Sequence, residues 1–471
     1  MTLLSRVALR LTSFAETWLP DAFIFALLAT GLAVVGGLTI GGAGLGKVVQ
    51  AWGDGFWGLI PFTLQMALVI ITGTVAATAA PMARAIDWLA GLPRGNRSAV
   101  VFVAVLGMTA SWLNWGFGLV FGAVLARAVA RRVPGVDYRT LAATVMFGTG
   151  SIWAQGLSGS AALQMATPGM LQPAIRQIVE TGGGPGVPSI ADGLIPLSAT
   201  IFLPQSLLAV AIEMVIVALA VLWLVPTGTA VRTASDLGVE VSSGLPIEQL
   251  PAVRTPGEWL EHQPWLSGLA VLLAGGYLVR LVMAAPSLAA AVSLNALNLS
   301  FLALGLLLHR TPVRFVRAFR DATPHVYSVI LQFPFYAGIA AIIVETGLNS
   351  RIAAVFTGAA THATFPALVA AYSAVLGVFV PSGGSKWVIE APYVLQAAHS
   401  LKVHLGWTVV SYDLGEALAN LIQPFWMLPV LGILGLRARD IIGTTFTIFL
   451  VLAPVVLVLV TVLGATLRYP Q

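Results

Sequence analysis

The sequence predicts an all-α polytopic membrane protein made of two inverted-topology repeats, each with a re-entrant helical hairpin and a broken transmembrane helix. Three observations predict it. Of the 471 residues 58% are apolar and 9% charged, against roughly 25% charged in soluble domains, so hydrocarbon is the solvent. Apolar runs near the ~20 residues that a helix needs to cross a bilayer recur from end to end, which argues against a barrel of short alternating strands. Two glycine-rich interruptions, Asn114-Trp115-Gly116-Phe117-Gly118 and Pro381-Ser382-Gly383-Gly384-Ser385, start 267 residues apart. The same spacing takes Leu64-Gln65 to Leu331-Gln332, Arg84 to Arg351 and Gly91 to Gly358. Duplicated, broken hydrophobic segments mark a transporter.

The elements follow in order. Residues 1–57 give an interfacial N-terminal helix and a first span, Asp21 to Leu38; Arg6 and Arg10 precede Trp18 with no small-residue cleavage site, so no signal peptide is read. Residues 58–170 form the first repeat: a span from Gly58 to Ala80, a hairpin arm from Ser98 to Leu113, a tip at Asn114 to Gly118, a return to Arg132, and a span from Thr140 to Leu157. Residues 171–322 hold an external loop, the spans Ala199 to Val225, Trp265 to Met283 and Val292 to Leu308, and a polar cytoplasmic linker over 226–263. The second repeat, 323–436, runs through Thr323 to Val344, Thr364 to Val380, a tip at Pro381 to Ser385, and Leu405 to Ile422; residues 437–471 add a last span, Ile441 to Leu463.

Arg and Lys clusters at Arg84 to Arg97, Arg127 to Arg139, Arg310 to Arg320 and Arg437 to Arg439 mark cytoplasmic loops and put the N-terminus inside. The first tip then dips in from the cytoplasm and the second from outside. Trp52, Trp57, Trp265 and Trp407 fit an interfacial belt. The net charge of +5 comes from these loops and implies no nucleic-acid partner.

Each repeat is opened a second time after its hairpin, at Gly156-Leu157-Ser158-Gly159-Ser160 with Ala166-Thr167-Pro168-Gly169, and at Gly415-Glu416 with Asn420 and Gln423-Pro424. At membrane depth an unpaired backbone group costs several kcal/mol unless protein, water or an ion answers it. Half-helix N-termini can hold a carboxylate, and unwound carbonyls with Ser, Thr and Asn oxygens can hold Na+. Packing of small residues is the alternative for any one motif; four interruptions at related places favour binding sites. With no cysteine and six scattered histidines lacking HExxH spacing, neither a transition-metal site nor an enzyme is indicated.

Asn114 to Val120, Ala130 to Gly135, Ser158-Gly159-Ser160, Ala166 to Gly169, Gln332 to Gly338 and Gln423 to Trp426, with Trp52 to Trp57 and Gln65 to Leu68, resemble the bacterial short-chain fatty acid transporter family (AtoE-type) over nearly the whole chain. The resemblance implies secondary uptake of small monocarboxylates such as butyrate or acetoacetate across the bacterial inner membrane. More remotely the chain looks like the ion transporter superfamily, which implies a homodimer whose transport domain moves against a scaffold, elevator fashion. The sequence departs from the family's external hairpin, which reads Pro-Ser-Gly-Gly-Gly and lacks the charges present here: Ser385, Lys386 and Glu390 stand in its place, and Asp413 is a further acid.

The expected substrate site is Asn114, Gly116, Gly118, Ser158, Gly159, Ser160 and Thr167 from one repeat, and Ser382, Gly383, Gly384, Ser385, Lys386, Asn420 and Gln423 from the other. Candidates for ion coupling are Asn114, Ser158, Ser382, Glu390, Asp413, Glu416 and Asn420. Lys386 either holds the substrate carboxylate or only neutralises Glu390 four residues on. The driving ion is Na+ or H+, and no other cofactor is expected. A carrier of another anion such as a dicarboxylate, or an anion channel, is the alternative.

Overall fold

The computed structural model describes residues 22–181, 190, 193–241, 252–380, 382–423 and 426–470. The expected N-terminal interfacial helix, Pro381 at the second tip and Pro424 in the second opening lie outside them. Among the described residues every regular element is helical, and six helices are long and apolar enough to cross a membrane. This is the build of a multi-pass membrane protein.

The first half runs α1 (Ala22–Thr39), α2 (Leu45–Gly55), α3 (Ile60–Thr78), α4 (Ala80–Leu89), α5 (Asn96–Leu113), α6 (Trp115–Arg132), α7 (Tyr138–Ala143), α8 (Val145–Thr149), α9 (Ser160–Ala166), α10 (Pro173–Thr181) and α11 (Pro204–Leu224). The second runs α12 (Pro256–Glu261), α13 (Pro264–Ala284), α14 (Leu288–Ala291), α15 (Leu294–His309), α16 (Pro312–Ala322), α17 (Tyr327–Glu345), α18 (Leu348–Ala359), α19 (Phe365–Phe379), α20 (Gly383–Leu401), α21 (Leu405–Ala419), α22 (Met427–Leu434) and α23 (Ala438–Gly464). The pairs α2 and α16, α3 and α17, α7 and α21, and α9 and α22 each begin 267 residues apart, so the sequence spacing extends to helix boundaries on both sides of the hairpins.

Three expectations change. Arg310 to Arg320, read as a loop, contains α16, because Arg314 and Arg317 are spaced to share the polar face of an amphipathic helix. The span from Thr140 to Leu157 is not one helix: it breaks at Thr144 and again after Thr149, leaving a single 3-10 turn at Trp153–Gln155. The opened segment lies hard against α5: a Cβ on Gly156 would stand 2.2 Å from the Trp112 carbonyl oxygen, which accepts from the Leu157 N–H at 2.8 Å. Trp407 is no belt residue: it is buried, and its indole N–H donates to the Val460 carbonyl at 2.8 Å, whereas Trp57 and Trp265 are exposed.

The hairpins occupy the interior. The arms α5 and α6 pack on each other, α6 also lies against α3, and α20 lies against α17, α18 and α21; α19 packs most extensively on α21. The spans at the outside are the opposite: α13 buries only Ser267, as a lipid-facing helix should.

Candidate functional site

The two hairpin tips are built differently. At the first, Asn114 leaves α5 in an extended conformation and caps α6, its Oδ1 accepting from the Phe117 N–H at 2.9 Å. The Trp115 N–H donates to Ser158 Oγ at 2.9 Å, so the opened segment completes the cap. Gly73 of α3 makes room, because a Cβ there would stand 2.6 Å from Asn114 Oδ1. The first N–H groups of α6 are thereby satisfied within the protein.

At the second tip Ser382 occupies the N-cap of α20 but its side chain makes no capping bond. The N–H groups of Gly383, Gly384 and Ser385 belong to the first turn of α20, whose N–H groups have no partner within the helix itself. With the positive end of the helix dipole they form an anion-binding concavity. The Tyr412 hydroxyl donates to the Gly383 carbonyl at 2.5 Å and holds the tip from behind.

Residues of both tips line one cavity. Its lining comes in pairs: Met66 and Phe333 on α3 and α17, Trp115 and Ser382 at the tips, and Trp153 and Asn420 in the openings are each 267 residues apart. Ser160, Gly383 and Gly384 are also in the wall. Both halves give aromatic and polar side chains, Trp115, Trp153, Thr149 and Ser160 from the first and Phe333, Trp426, Ser382 and Asn420 from the second; Trp115 is edge-on to Trp153 at 6.0 Å and to Trp426 at 5.0 Å.

Other expected residues sit behind this wall. Asn114 and Ser158 are committed to the cap, and Gly116 and Gly118 to close packing on Ile70 and Ser111. Gly159 is the N-cap of α9, its hydrogen facing the Ala154 carbonyl, and Thr167 accepts from the Leu294 N–H at 3.5 Å. Ser385 is buried in the first turn of α20, its hydroxyl donating to the Ser382 carbonyl at 3.4 Å. Asn420 donates to the Thr149 carbonyl at 2.8 Å and accepts from Gln423 at 3.0 Å, joining the two openings. The sequence reading missed Met66, Phe333, Trp115 and Trp153; the 267-residue offset, applied to Ser382 and Asn420, would have found the two tryptophans.

Lys386 is buried and held four ways. Its ammonium is 2.6 Å from Glu416 Oε2 and 3.5 Å from Glu390 Oε1, and it donates to both the carbonyl and the hydroxyl of Ser373 at 2.7 Å. It also lies 4.6 Å over the Tyr412 ring. Its main partner is therefore Glu416, on a neighbouring helix, rather than Glu390 on its own. No oxygen of Glu390 or Glu416, nor Asp413 Oδ2, accepts a hydrogen bond among the described residues, so the Lys386 contacts with the two glutamates are ion pairs. Asp413 is buried one turn before Glu416. Among the described residues no three acids or histidines are arranged to hold a metal ion.

The family model described as short chain fatty acid transporter matches residues 3–463. The "Putative short-chain fatty acid transporter" of Escherichia coli (strain K12) is 38% identical over 454 residues, 95% of this chain and 97% of that protein. Its namesake in Haemophilus influenzae is 33% identical over 458 residues, 97% of this chain and 99% of that one. Among solved structures, the Alcanivorax borkumensis YdaH transporter covers 95% of this chain and 98% of its own at TM-score 0.60 and 16% identity. Neisseria gonorrhoeae MtrF, described with a class of antimetabolite efflux pumps, covers 99% and 97% at TM-score 0.59 and 13% identity. These two likenesses are of fold.

Proposed function

We propose that this chain, which belongs to the short-chain fatty acid transporter family, binds a small monocarboxylate in the cavity between its tips and carries it across the bilayer by alternating access. The observation that carries this reading is a helix N-terminus without a side-chain cap set beside aromatic rings in one cavity. An uncapped helix N-terminus at Ser382 to Ser385, with Asn420 beside it, faces an aromatic wall of Trp115 and Trp153. The carboxylate lies on the N–H groups and the short acyl chain on the rings. A dicarboxylate would press its second charge against that wall, where an unanswered charge is costly.

The shared helix boundaries and paired lining support two units of inverted topology, with α11, α13 and α23 as the scaffold against which the hairpin core moves, in a homodimer. A proton is the coupling ion in this reading. Lys386 answers Glu416 closely, so of the three buried carboxylates around it Glu390, at 3.5 Å, and Asp413 are left less answered at membrane depth, and binding H+ at Glu390 neutralises one of them.

The test is uptake of labelled butyrate or acetoacetate into proteoliposomes under an imposed proton or Na+ gradient. Ser382→Ala and Trp153→Ala should raise KM, and Glu390→Gln should abolish proton-driven accumulation while leaving counterflow. Unchanged kinetics in both cavity variants would sink the site assignment. Accumulation driven by Na+ alone would transfer the coupling role to Na+ at the oxygen-rich tips.

A further inference from the structure

Glu213 lies in the middle of α11, outside the site described above, and is 0% exposed. It belongs to a buried stripe with Ser206, Val210, Val217 and Val221, on a helix that packs against α5 and α23. Among the described residues no ion pair accounts for it. The charged residues of those two helices are Arg97 in the first turn of α5 and Arg439 and Asp440 in the first turn of α23, and residues 150–159 contain none.

The partner recorded for its carboxyl is Gln155, whose Nε2 donates to Glu213 Oε1 at 3.3 Å. Glu213 Oε2 and Gln155 Oε1 are both buried and have no hydrogen bond. An ionised carboxylate only accepts, so it can satisfy neither of those two acceptors. A neutral carboxylic acid both donates and accepts, which is the complement of a primary amide. One proton on Glu213 would turn a single long bond into a reciprocal pair, O–H to the amide carbonyl and amide N–H to the acid carbonyl. It would also remove a charge whose burial is expensive.

We propose that Glu213 is a proton-binding site and that its proton fixes the opened segment bearing Trp153. Gln155 is in the same 3-10 turn as Trp153, so the protonation state of α11 reaches the cavity wall through one turn of backbone. Release of the proton to water removes the donor to Gln155 Oε1 and leaves a buried charge, which draws solvent in and loosens the turn.

Infrared difference spectra of the full-length protein in lipid nanodiscs test the site without reference to any substrate. At neutral pH wild type should show a carboxylic-acid C=O band that Glu213→Gln lacks. Gln155→Leu should keep this band and move it to higher frequency, because the acid loses its amide partner; this comparison with wild type also stands if Glu213→Gln does not fold. Absence of the band, or a band unmoved in Gln155→Leu, would overturn the proposal. The link to the cavity rests on the transport reading above: butyrate uptake by wild type should decline as pH rises through the band's titration, and Glu213→Gln should lose that decline. Identical pH profiles, with uptake intact, would overturn control by Glu213 while leaving the transport reading standing.

Discussion

Around Lys386 a single ammonium is set among buried carboxylates, and its nearest, Glu416, comes from another helix at 2.6 Å. Taking such charges out of water costs several kcal/mol each, which mutual attraction and good hydrogen bonding offset only while both partners remain. Lys386→Met should therefore cost about 3–5 kcal/mol of stability by leaving Glu416 buried and unpaired. Lys386→Met with Glu416→Gln should recover most of that loss. Thermal unfolding in detergent measures both; equal destabilisation by the single and double variants would show that Glu416 is not the controlling partner. The identity of the pair was not legible in the sequence, which offers Glu390 at helical spacing and gives no sign that Glu416, thirty positions on, lies nearer.

Helix pairs depend on backbone proximity that only glycine permits. α19 and α21 touch at Gly415, where a Cβ would stand 2.0 Å from the Ala370 carbonyl oxygen. That oxygen is backbone and cannot swing aside, so Gly415→Ala must part the helices. A cost of about 1–3 kcal/mol, at the upper end because two long helices must shift, should appear as a lower melting temperature. The connection between α4 and α6 works by charge instead. Arg132 and Arg131 lie 2.8 Å and 2.5 Å from Asp87. The hydrogen bond from Arg132 holds the Asp87 carboxyl below its ordinary value, against the opposing effect of burial and with further help from Arg131. A lowered value means that the contact contributes fully above the ordinary aspartate range and is lost as pH falls through the folded value. The pair is well exposed, so Asp87→Asn should cost less than about 1 kcal/mol at neutral pH. The gap between variant and wild type should close below about pH 4; a gap that persists in acid would exclude the ion pair as its cause. These arginines were read only as markers of the cytoplasmic side. Arg127 likewise turns out to be structural, donating to the carbonyls of Ile433 and Glu240.

For the whole molecule, the proposed inversion makes a direct geometric prediction. The chain has no cysteine, so single cysteines report without a background. Arg94→Cys, between α4 and α5, and His362→Cys, between α18 and α19, occupy corresponding turns of the two units and should react with a membrane-impermeant maleimide from opposite sides. Labelling from the same side would refute the inversion, whatever the substrate. The sequence by itself determined the solvent, through its apolar runs, the all-helical class that lipid imposes on a backbone needing every N–H and C=O satisfied, and the 267-residue repeat. Those properties are local or periodic, and a chain displays them without folding. Tertiary structure alone decided which helix N-terminus is capped by Asn114 and Ser158 and which has no side-chain cap at Ser382, that tryptophans from both halves line the cavity with the second tip, and that Lys386 turns to Glu416. Each of these joins residues from segments far apart in the chain, and their distances are set by how the helices pack, which no spacing along the chain encodes.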